Sequence, residues 1–513
     1  MAAGFTLHWG DWLVVLGYLG LMFSIPVLLR RKEKSANDFF LAGRSMPWVF
    51  VGLSMYATLF STISFVSMPG EGYKFGMIKS LHSIIYTLVS PLAIWVFLRF
   101  FYSTTSFSAY EYLERRYNLA SRLLGAVIFL ISRALYASLA LYSAAKIFEQ
   151  LIGWPQYATV VVVMVVTVLY SFMGGMRTVI IADSVQTGLI ILGLGVVVFS
   201  LGQAVGFDFA GAWSFATAHG HGYAKVTEAE FYSLDPQVRL SLWVLLITGV
   251  TTPFMNYGTD QLFVQKMLAS KSYDGAFKAV LLKTFAALPL TLLFYFSGLL
   301  LFYYYRGLNA PPEGVHPDAL LGYFISTHLT APWPGVIVVA LLAALMSTLD
   351  STISSLSTIV SVDFVERLKL IRPERLSMFR LGRGLTVAWG MIVTGLALLL
   401  MGASESIEST LAELAIVWAS LWGVLLVVVL GGVFTRWATA RAAVAALALG
   451  IVINLTLPWP LYYAVPAAER ISFIWVGVPG WIIAALVLVV GSLLDPRKTI
   501  ALEGLTWQTA RKS

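Results

Sequence analysis

The sequence predicts an all-α, polytopic membrane protein with about thirteen transmembrane helices. Three observations carry that reading. Of the 513 residues, 58% are hydrophobic and only 12% charged, with a mean hydropathy of +0.81, far from the composition of a water-soluble domain. Apolar runs of about 20 residues, enough to cross a bilayer, recur along the chain. The second and seventh runs are interrupted by polar residues, and corresponding breaks five spans apart predict two five-helix units inserted in opposite orientations, an inverted repeat.

In order, the spans fall near residues 11–30, 47–70, 80–102, 122–150, 154–174, 179–206, 239–265, 277–305, 334–365, 379–403, 409–435, 438–458 and 472–495. With the amino terminus outside, most of the 34 basic residues fall in loops on the inner side: Arg30, Arg31, Lys32, Lys34, Arg44, Arg115, Arg116, Arg122, Lys266, Lys271, Arg367, Lys369, Arg372, Arg375, Arg380, Arg383, Arg436, Arg441, Arg497, Lys498, Arg511 and Lys512 among them. The outer loops hold only Lys74, Lys79, Lys225, Arg239, Arg306 and Arg470. The positive-inside rule then places the carboxyl terminus inside the cell, and the net charge of +8 is topological, with no nucleic-acid partner implied. The expected organisation is an extra amino-terminal helix (1–46), repeat one (47–206), an outer loop (207–238), repeat two (239–435), two carboxyl-terminal helices (436–495) and an inner tail (496–513). The first run is long enough to remain as a span and lacks a basic n-region, so no cleaved signal is expected. Inner segments Ser108–Arg122 and Asp363–Gly384 read as amphipathic helices at headgroup level. The absence of cysteine excludes disulfides and thiolate metal sites.

The ninth span contains the most informative stretch, Leu342–Ser357, with Ser347, Thr348, Asp350, Ser351, Ser354 and Ser355 inside an apolar run. On a helix Ala344, Ser347, Thr348 and Ser351 share a face, with Asp350 beside it. Hydroxyls alone also suit a tight helix–helix contact. An intramembrane carboxylate does not, and hard oxygen donors suit a small hard cation. The second span carries the polar island Ala57–Ser64, then Pro69, Gly70 and Gly72. The seventh carries Gly249, Pro253, Asn256 and Gly258–Gln261. Proline and glycine there are expected to free backbone groups for ions or substrate.

Other intramembrane charges have two readings each. Asp183 fits either a helix-start acid favoured by the macrodipole or an ion ligand. Arg133 lies roughly 16 Å into the fourth span, too deep to snorkel, and fits a structural partner or, preferably, a substrate carboxylate held bidentately. Lys146 and Lys283 read as snorkelling cations, and Tyr136 and Tyr142 as packing residues.

From about Asp11 to Leu494 the chain resembles the solute:sodium symporter family. The likeness rests on Asn37–Ser45, Ser108–Tyr117, Gly174-Gly175 with Asp183, Val264-Gln265-Lys266 with Ala269–Ser272, and the ninth span through Asp363. The resemblance implies the five-plus-five inverted repeat of the LeuT-type fold with flanking helices. It implies a first sodium site at the carbonyls of Ala57, Phe60 and Ala344 and the hydroxyls of Ser347 and Thr348. The sialic-acid-transporter branch suggests a second at Asp183, Ser347, Asp350 and Ser351, where Asp350 replaces a serine and either strengthens the site or carries a proton. By the same resemblance the solute lining comprises Leu59, Ser61, Ser64, His82, Ser83, Arg133 and Asn256.

The expected function is therefore a sodium-coupled secondary active symporter that imports a small organic anion, of the sialic acid or monocarboxylate type, by alternating access in the cell membrane. A sodium-coupled carrier of a sugar or other neutral solute is the alternative, with Arg133 then structural. The expected ligands are the solute and one or two sodium ions, in contact with lipid. An enzyme is not expected: His8, His82, His219, His221, His316 and His328 are scattered along the chain and offer no catalytic cluster. A channel is expected to show a continuous polar pore rather than isolated polar islands.

Overall fold

Long apolar helices, with two breaks between successive helices at Phe60-Ser61 and Thr259-Asp260, organise the chain. The structure, a computed structural model, describes all residues except 1–6, 30–34, 103–107, 316, 372–376, 403–404, 458–464, 467–470, 473–474, 496–501 and 511–513, and the side chains of 318, 405–419 and 510. His316 and the basic residues Arg30, Arg31, Lys32, Lys34, Arg372, Arg375, Arg470, Arg497, Lys498, Arg511 and Lys512 lie outside the described residues. The helices are α1 (Trp9–Leu29), α2 (Trp48–Leu59), α3 (Thr62–Phe75), α4 (Ser80–Tyr102), α5 (Glu111–Arg116), α6 (Leu119–Ile152), α7 (Gln156–Met173) and α8 (Met176–Ala204). They continue with α9 (Leu242–Gly258), α10 (Gln261–Leu268), α11 (Tyr273–Tyr303), α12 (Trp333–Ile359), α13 (Met378–Met401), α14 (Glu405–Phe434), α15 (Ala440–Thr456) and α16 (Val478–Leu494).

Among the described residues each expected span contains a helix; α2 and α3 make one broken span, and α9 and α10 follow each other across Thr259-Asp260. Among the described residues eight single helices, and a ninth span if the bent pair α2/α3 is counted as one, are long and apolar enough to cross a bilayer. The break between α2 and α3 bends the axis by 64°.

The breaks differ from expectation in cause. Pro69 lies inside α3 and Pro253 inside α9, and neither helix stops there. The chain instead leaves helical geometry at Phe60-Ser61 and Thr259-Asp260. Ser61 accepts the Ser64 amide and Asp260 accepts the Leu262 amide, so each break is a helix restarted by an N-cap.

Helix α12 is the axis of the molecule. Of its most apolar window 94% is buried, against 28% for α1 and α13, which places it at the centre and those two at the rim. It packs on α8, α6, α1, α13 and α7. Its amino-terminal end receives Asp11 of α1: the Gly335 amide donates to Asp11 Oδ1 at 2.8 Å, placing an anion at the positive end of the helix dipole. At the other face of the protein, Arg116 of α5 is buried and donates to the carbonyls of Gly432, Thr435 and Ala438 at 3.0, 2.9 and 3.0 Å. It thereby satisfies carbonyls that the end of α14 would leave without partners.

The segment around Ser108–Arg122 contains the short helix α5, which buries Tyr112, Leu113 and Arg116, and its Glu114 carboxylate is held below the usual carboxylate range by Arg367 and Arg122. The expected helix over Asp363–Gly384 is not one element. A π-helical turn carries α12 on to Glu366, and a new helix, α13, begins at Met378 after its cap Ser377. Asp363 faces inward to Arg122, tying the end of α12 to α6, whereas Arg367–Ile371 are exposed; residues 372–376 of the expected stretch lie outside the described residues.

Helices α3 and α11 approach most closely at Gly72 and Gly298. A Cβ on Gly298 would stand 2.1 Å from the Pro69 carbonyl oxygen, and one on Gly72 2.2 Å from that of Tyr295. Backbone atoms cannot rotate out of the way, so the two helices must separate to admit a methyl group. Gly298→Ala is expected to lower stability by about 1–3 kcal/mol despite alanine's better helix propensity. A thermal melt of the detergent-solubilised protein measures it, and an unchanged midpoint would refute this close packing.

Candidate functional site

The break at Phe60-Ser61 lies against the polar face of α12. The Ser347 hydroxyl donates to the Ala57 carbonyl at 3.1 Å, bridging α2 and α12, and also approaches the Ala344 carbonyl at 3.2 Å. Thr348 Oγ1 lies 3.0 Å from the same Ala344 carbonyl. Four of the five oxygens expected at the first sodium site thus form one buried cluster. The fifth residue, Phe60, is the last before the break, with an extended backbone (φ −90°, ψ 118°) and its ring stacked on Phe294 of α11. The cluster is made of carbonyl and hydroxyl oxygens alone, a donor set that fits a small hard cation.

The four residues expected at a second site do not share one centre. Ser347 belongs to the first cluster. Asp350 accepts the Tyr170 hydroxyl of α7 at 2.5 Å. Asp183 and Ser351 come together, with Ser351 Oγ 3.2 Å from Asp183 Oδ2, and Ser54 of α2 donates to that same oxygen at 2.6 Å. Lys266 of α10 also enters this group. Its ammonium lies 2.7 Å from Asp183 Oδ2 and 3.1 Å from the Ser54 carbonyl, and contacts Thr58 Oγ1. The sequence places Lys266 in an inner loop, but it is fully buried, because Asp260 restarts the helix and carries it inside the bundle.

A second polar group forms where α4, α9 and α11 meet. Lys283 Nζ donates to Tyr86 Oη at 2.6 Å and Tyr257 Oη at 3.1 Å, and its charge sits over the rings of Tyr86, Tyr257 and Phe263. Asn256 Nδ2 donates to Tyr86 Oη at 3.1 Å, and the His82 ring stands 6.3 Å from that of Tyr86. The expected snorkelling of Lys283 does not occur. It lies about 15 Å along α11 and is fully buried, where the helix faces the bundle. Among the described residues no carboxylate lies within ion-pair distance of it.

Arg133 does have a counter-ion: its guanidinium meets Asp260 at the α9/α10 break and lies 5.2 Å from the Trp422 ring centre. Ser61 caps α3 by accepting the Ser64 amide, and the two hydroxyls stand 3.3 Å apart. Leu59 and Ser83 are half-buried on α2 and α4, and the Ser83 carbonyl accepts Thr87 Oγ1. The expected lining is therefore spread over three places: Asn256 and His82 stand around Lys283, Ser61 and Ser64 at the first break, and Arg133 at the second. Sequence reasoning missed Lys266, Lys283, Tyr86, Tyr257 and the pairing role of Asp260. The available signals were two lysines within or at the edge of apolar spans and a mid-span Asp followed by an uninterrupted helical run.

A profile of the sodium:solute symporter family matches residues 39–450. The chain is 25% identical over 490 residues to the sodium/sialic acid symporter NanT of Aliivibrio fischeri, covering 95% of this chain and 93% of that one. It is 27% identical over 469 residues to human sodium-coupled monocarboxylate transporter 1, covering 90% and 75%. Among solved structures, a substrate-bound, outward-open Na+-coupled sialic acid symporter matches with a TM-score of 0.85 and 21% identity, over 95% of this chain and 98% of the other. Mhp1, a nucleobase-cation-symport-1 family transporter, matches with a TM-score of 0.52 and 11% identity, over 88% and 93%. These likenesses establish the fold, the LeuT-type five-plus-five architecture.

Proposed function

The chain belongs to the sodium:solute symporter family, and from that premise we propose that it imports a small organic anion together with sodium. Sodium coupling comes with the family; the anion is our reading of the site. Lys283 carries it. A buried ammonium whose described partners are phenols and ring faces is costly in a membrane interior, and a bound carboxylate would offset that cost. Tyr86, Tyr257 and Asn256 hold the amine in place, leaving the anion to supply the missing charge.

In this reading sodium binds the carbonyls of Ala57, Phe60 and Ala344 and the hydroxyls of Ser347 and Thr348. It thereby fixes the first broken span against α12. Substrate and sodium each complete part of the arrangement the other needs, and linkage requires each to raise the other's affinity equally. In the same reading Ser61, Ser64 and Leu59 at the first break, Ser83 on α4 and Arg133 at the second break lie along the solute's path. The repeats are taken as 47–206 and 239–435, in a cell membrane with the amino terminus outside and the carboxyl terminus inside.

A neutral, hydroxyl-rich solute is the second reading, favoured by the phenols and amide around Lys283, which also suit sugar hydroxyls. Reconstituted proteoliposomes separate the two. Labelled lactate, N-acetylneuraminate and glucose are offered under an inward sodium gradient and under potassium. Sodium-dependent uptake of an acid is expected. Uptake of glucose alone would overturn the anion assignment, and uptake unaltered by potassium would overturn the sodium site.

A further inference from the structure

The Asp183 cluster already holds a cation. Lys266 Nζ is surrounded by a carboxylate oxygen (Asp183 Oδ2, 2.7 Å), a backbone carbonyl (Ser54, 3.1 Å) and a hydroxyl (Thr58), the same classes of oxygen that ligate a hard metal ion. Ser54 and Ser351 complete the group by donating their hydroxyls to Asp183 Oδ2. Asp183 and Lys266 are fully buried, so nothing from solvent screens the charge of either. The pair ties α10, in the second repeat, to α2 and α8, in the first.

A sodium ion at Asp183 Oδ2 would share that oxygen with the ammonium, two positive charges a few Å apart away from water. Asp183 Oδ1 is buried without a hydrogen-bond partner among the described residues, but it belongs to the same carboxylate, so a sodium there would still stand within a few Å of the ammonium, and the residues do not fit a second sodium while Lys266 is in place. Asp350 turns one carboxylate oxygen to Tyr170 in a contact between α12 and α7, and its other oxygen is buried without a hydrogen-bond partner among the described residues, so a lone Asp350 oxygen, with none of the hydroxyls that gather at Asp183, is all that remains for an ion.

We infer that Lys266 is the resident cation of the Asp183 site, so that this chain binds sodium at the Ser347 and Thr348 cluster alone and moves one sodium per solute. A tethered ammonium cannot leave with the cargo. It supplies the electrostatic link between repeats that a second ion would otherwise make anew in every cycle. The inference rests on the sodium-coupled reading above, but its test needs no solute.

Scintillation-proximity binding of radioactive sodium to the purified full chain counts the sites. The wild type is expected to bind one equivalent, and Thr348→Ala is expected to lose most of it at the sodium concentration that saturates the wild type. Lys266→Gln, which removes the charge but keeps much of the length, is expected to gain a second equivalent that disappears again in Lys266→Gln/Asp183→Asn. Two equivalents in the wild type would overturn the inference and leave sodium coupling standing. So would residual binding in Thr348→Ala that Asp183→Asn abolishes. No binding in the wild type would overturn both. If Lys266→Gln does not fold, the wild type and Thr348→Ala decide the matter.

Discussion

Thr348→Ala is expected to raise the sodium concentration that half-saturates uptake by about ten- to a hundredfold, because one oxygen contact to a charged group is worth about 1.5–3 kcal/mol and about 1.4 kcal/mol is tenfold in affinity. Of the two hydroxyls at the break, Thr348 is the more informative to remove. Its Oγ1 turns back to the Ala344 carbonyl of its own helix, a contact whose loss leaves the packing of α12 intact. Ser347 instead bridges to the Ala57 carbonyl, so Ser347→Ala would also loosen the contact between α2 and α12, and its effect would mix structure with binding. Thr348→Ser keeps the oxygen and is expected to behave like the wild type. Uptake is read as a function of sodium at fixed solute, with choline balancing ionic strength. Thr348→Ala with unchanged sodium dependence would remove this threonine from the ion site.

The polar face that carries Thr348 is readable from sequence because its period and its cost in hydrocarbon are both local properties. The helices are readable for the same reason: spanning length and apolarity belong to each segment alone. The mechanism of the breaks is not. Pro69 and Pro253 are the conspicuous signals, yet both sit inside helices, and the interruptions come from capping by Ser61 and Asp260, whose hydroxyl or carboxylate is easily mistaken for a ligand. Lys266 is displaced from its expected position by that capping. Once Asp260 restarts the helix, a residue placed in an inner loop by its charge becomes a fully buried member of the core. Arg133 and Asp260 are 127 residues apart and Lys266 and Asp183 83 apart, separations at which no spacing rule reports a pairing. Pairing decides which buried cation is free to meet a substrate, and the partners seen in the structure are why we propose Lys283 rather than Arg133 as the anion anchor.

With Lys283 as the proposed anchor, Lys283→Met, which keeps the apolar length and removes the charge, is expected to raise the KM for an acidic solute by about ten- to a hundredfold, the loss of one charge-assisted contact, with sodium binding retained. Lys283→Arg is expected to be impaired as well, since a planar fork does not fit between the two phenols that hold the ammonium. Arg133→Ala cannot be read in the same way. It strands Asp260, which is buried at the second break, and losing one member of such a pair costs about 3–5 kcal/mol, so a dead transporter would report misfolding as readily as lost recognition. The neutral pair Arg133→Gln/Asp260→Asn removes that ambiguity, because both charges leave together and the amides can still hydrogen-bond. Its melting temperature is expected to exceed that of Arg133→Ala, and its acid uptake is expected to survive with little change in KM. A double variant that is as stable as the wild type but no longer distinguishes lactate from a neutral analogue would return the carboxylate to Arg133. In that case Asp260 would be the group from which the substrate displaces it.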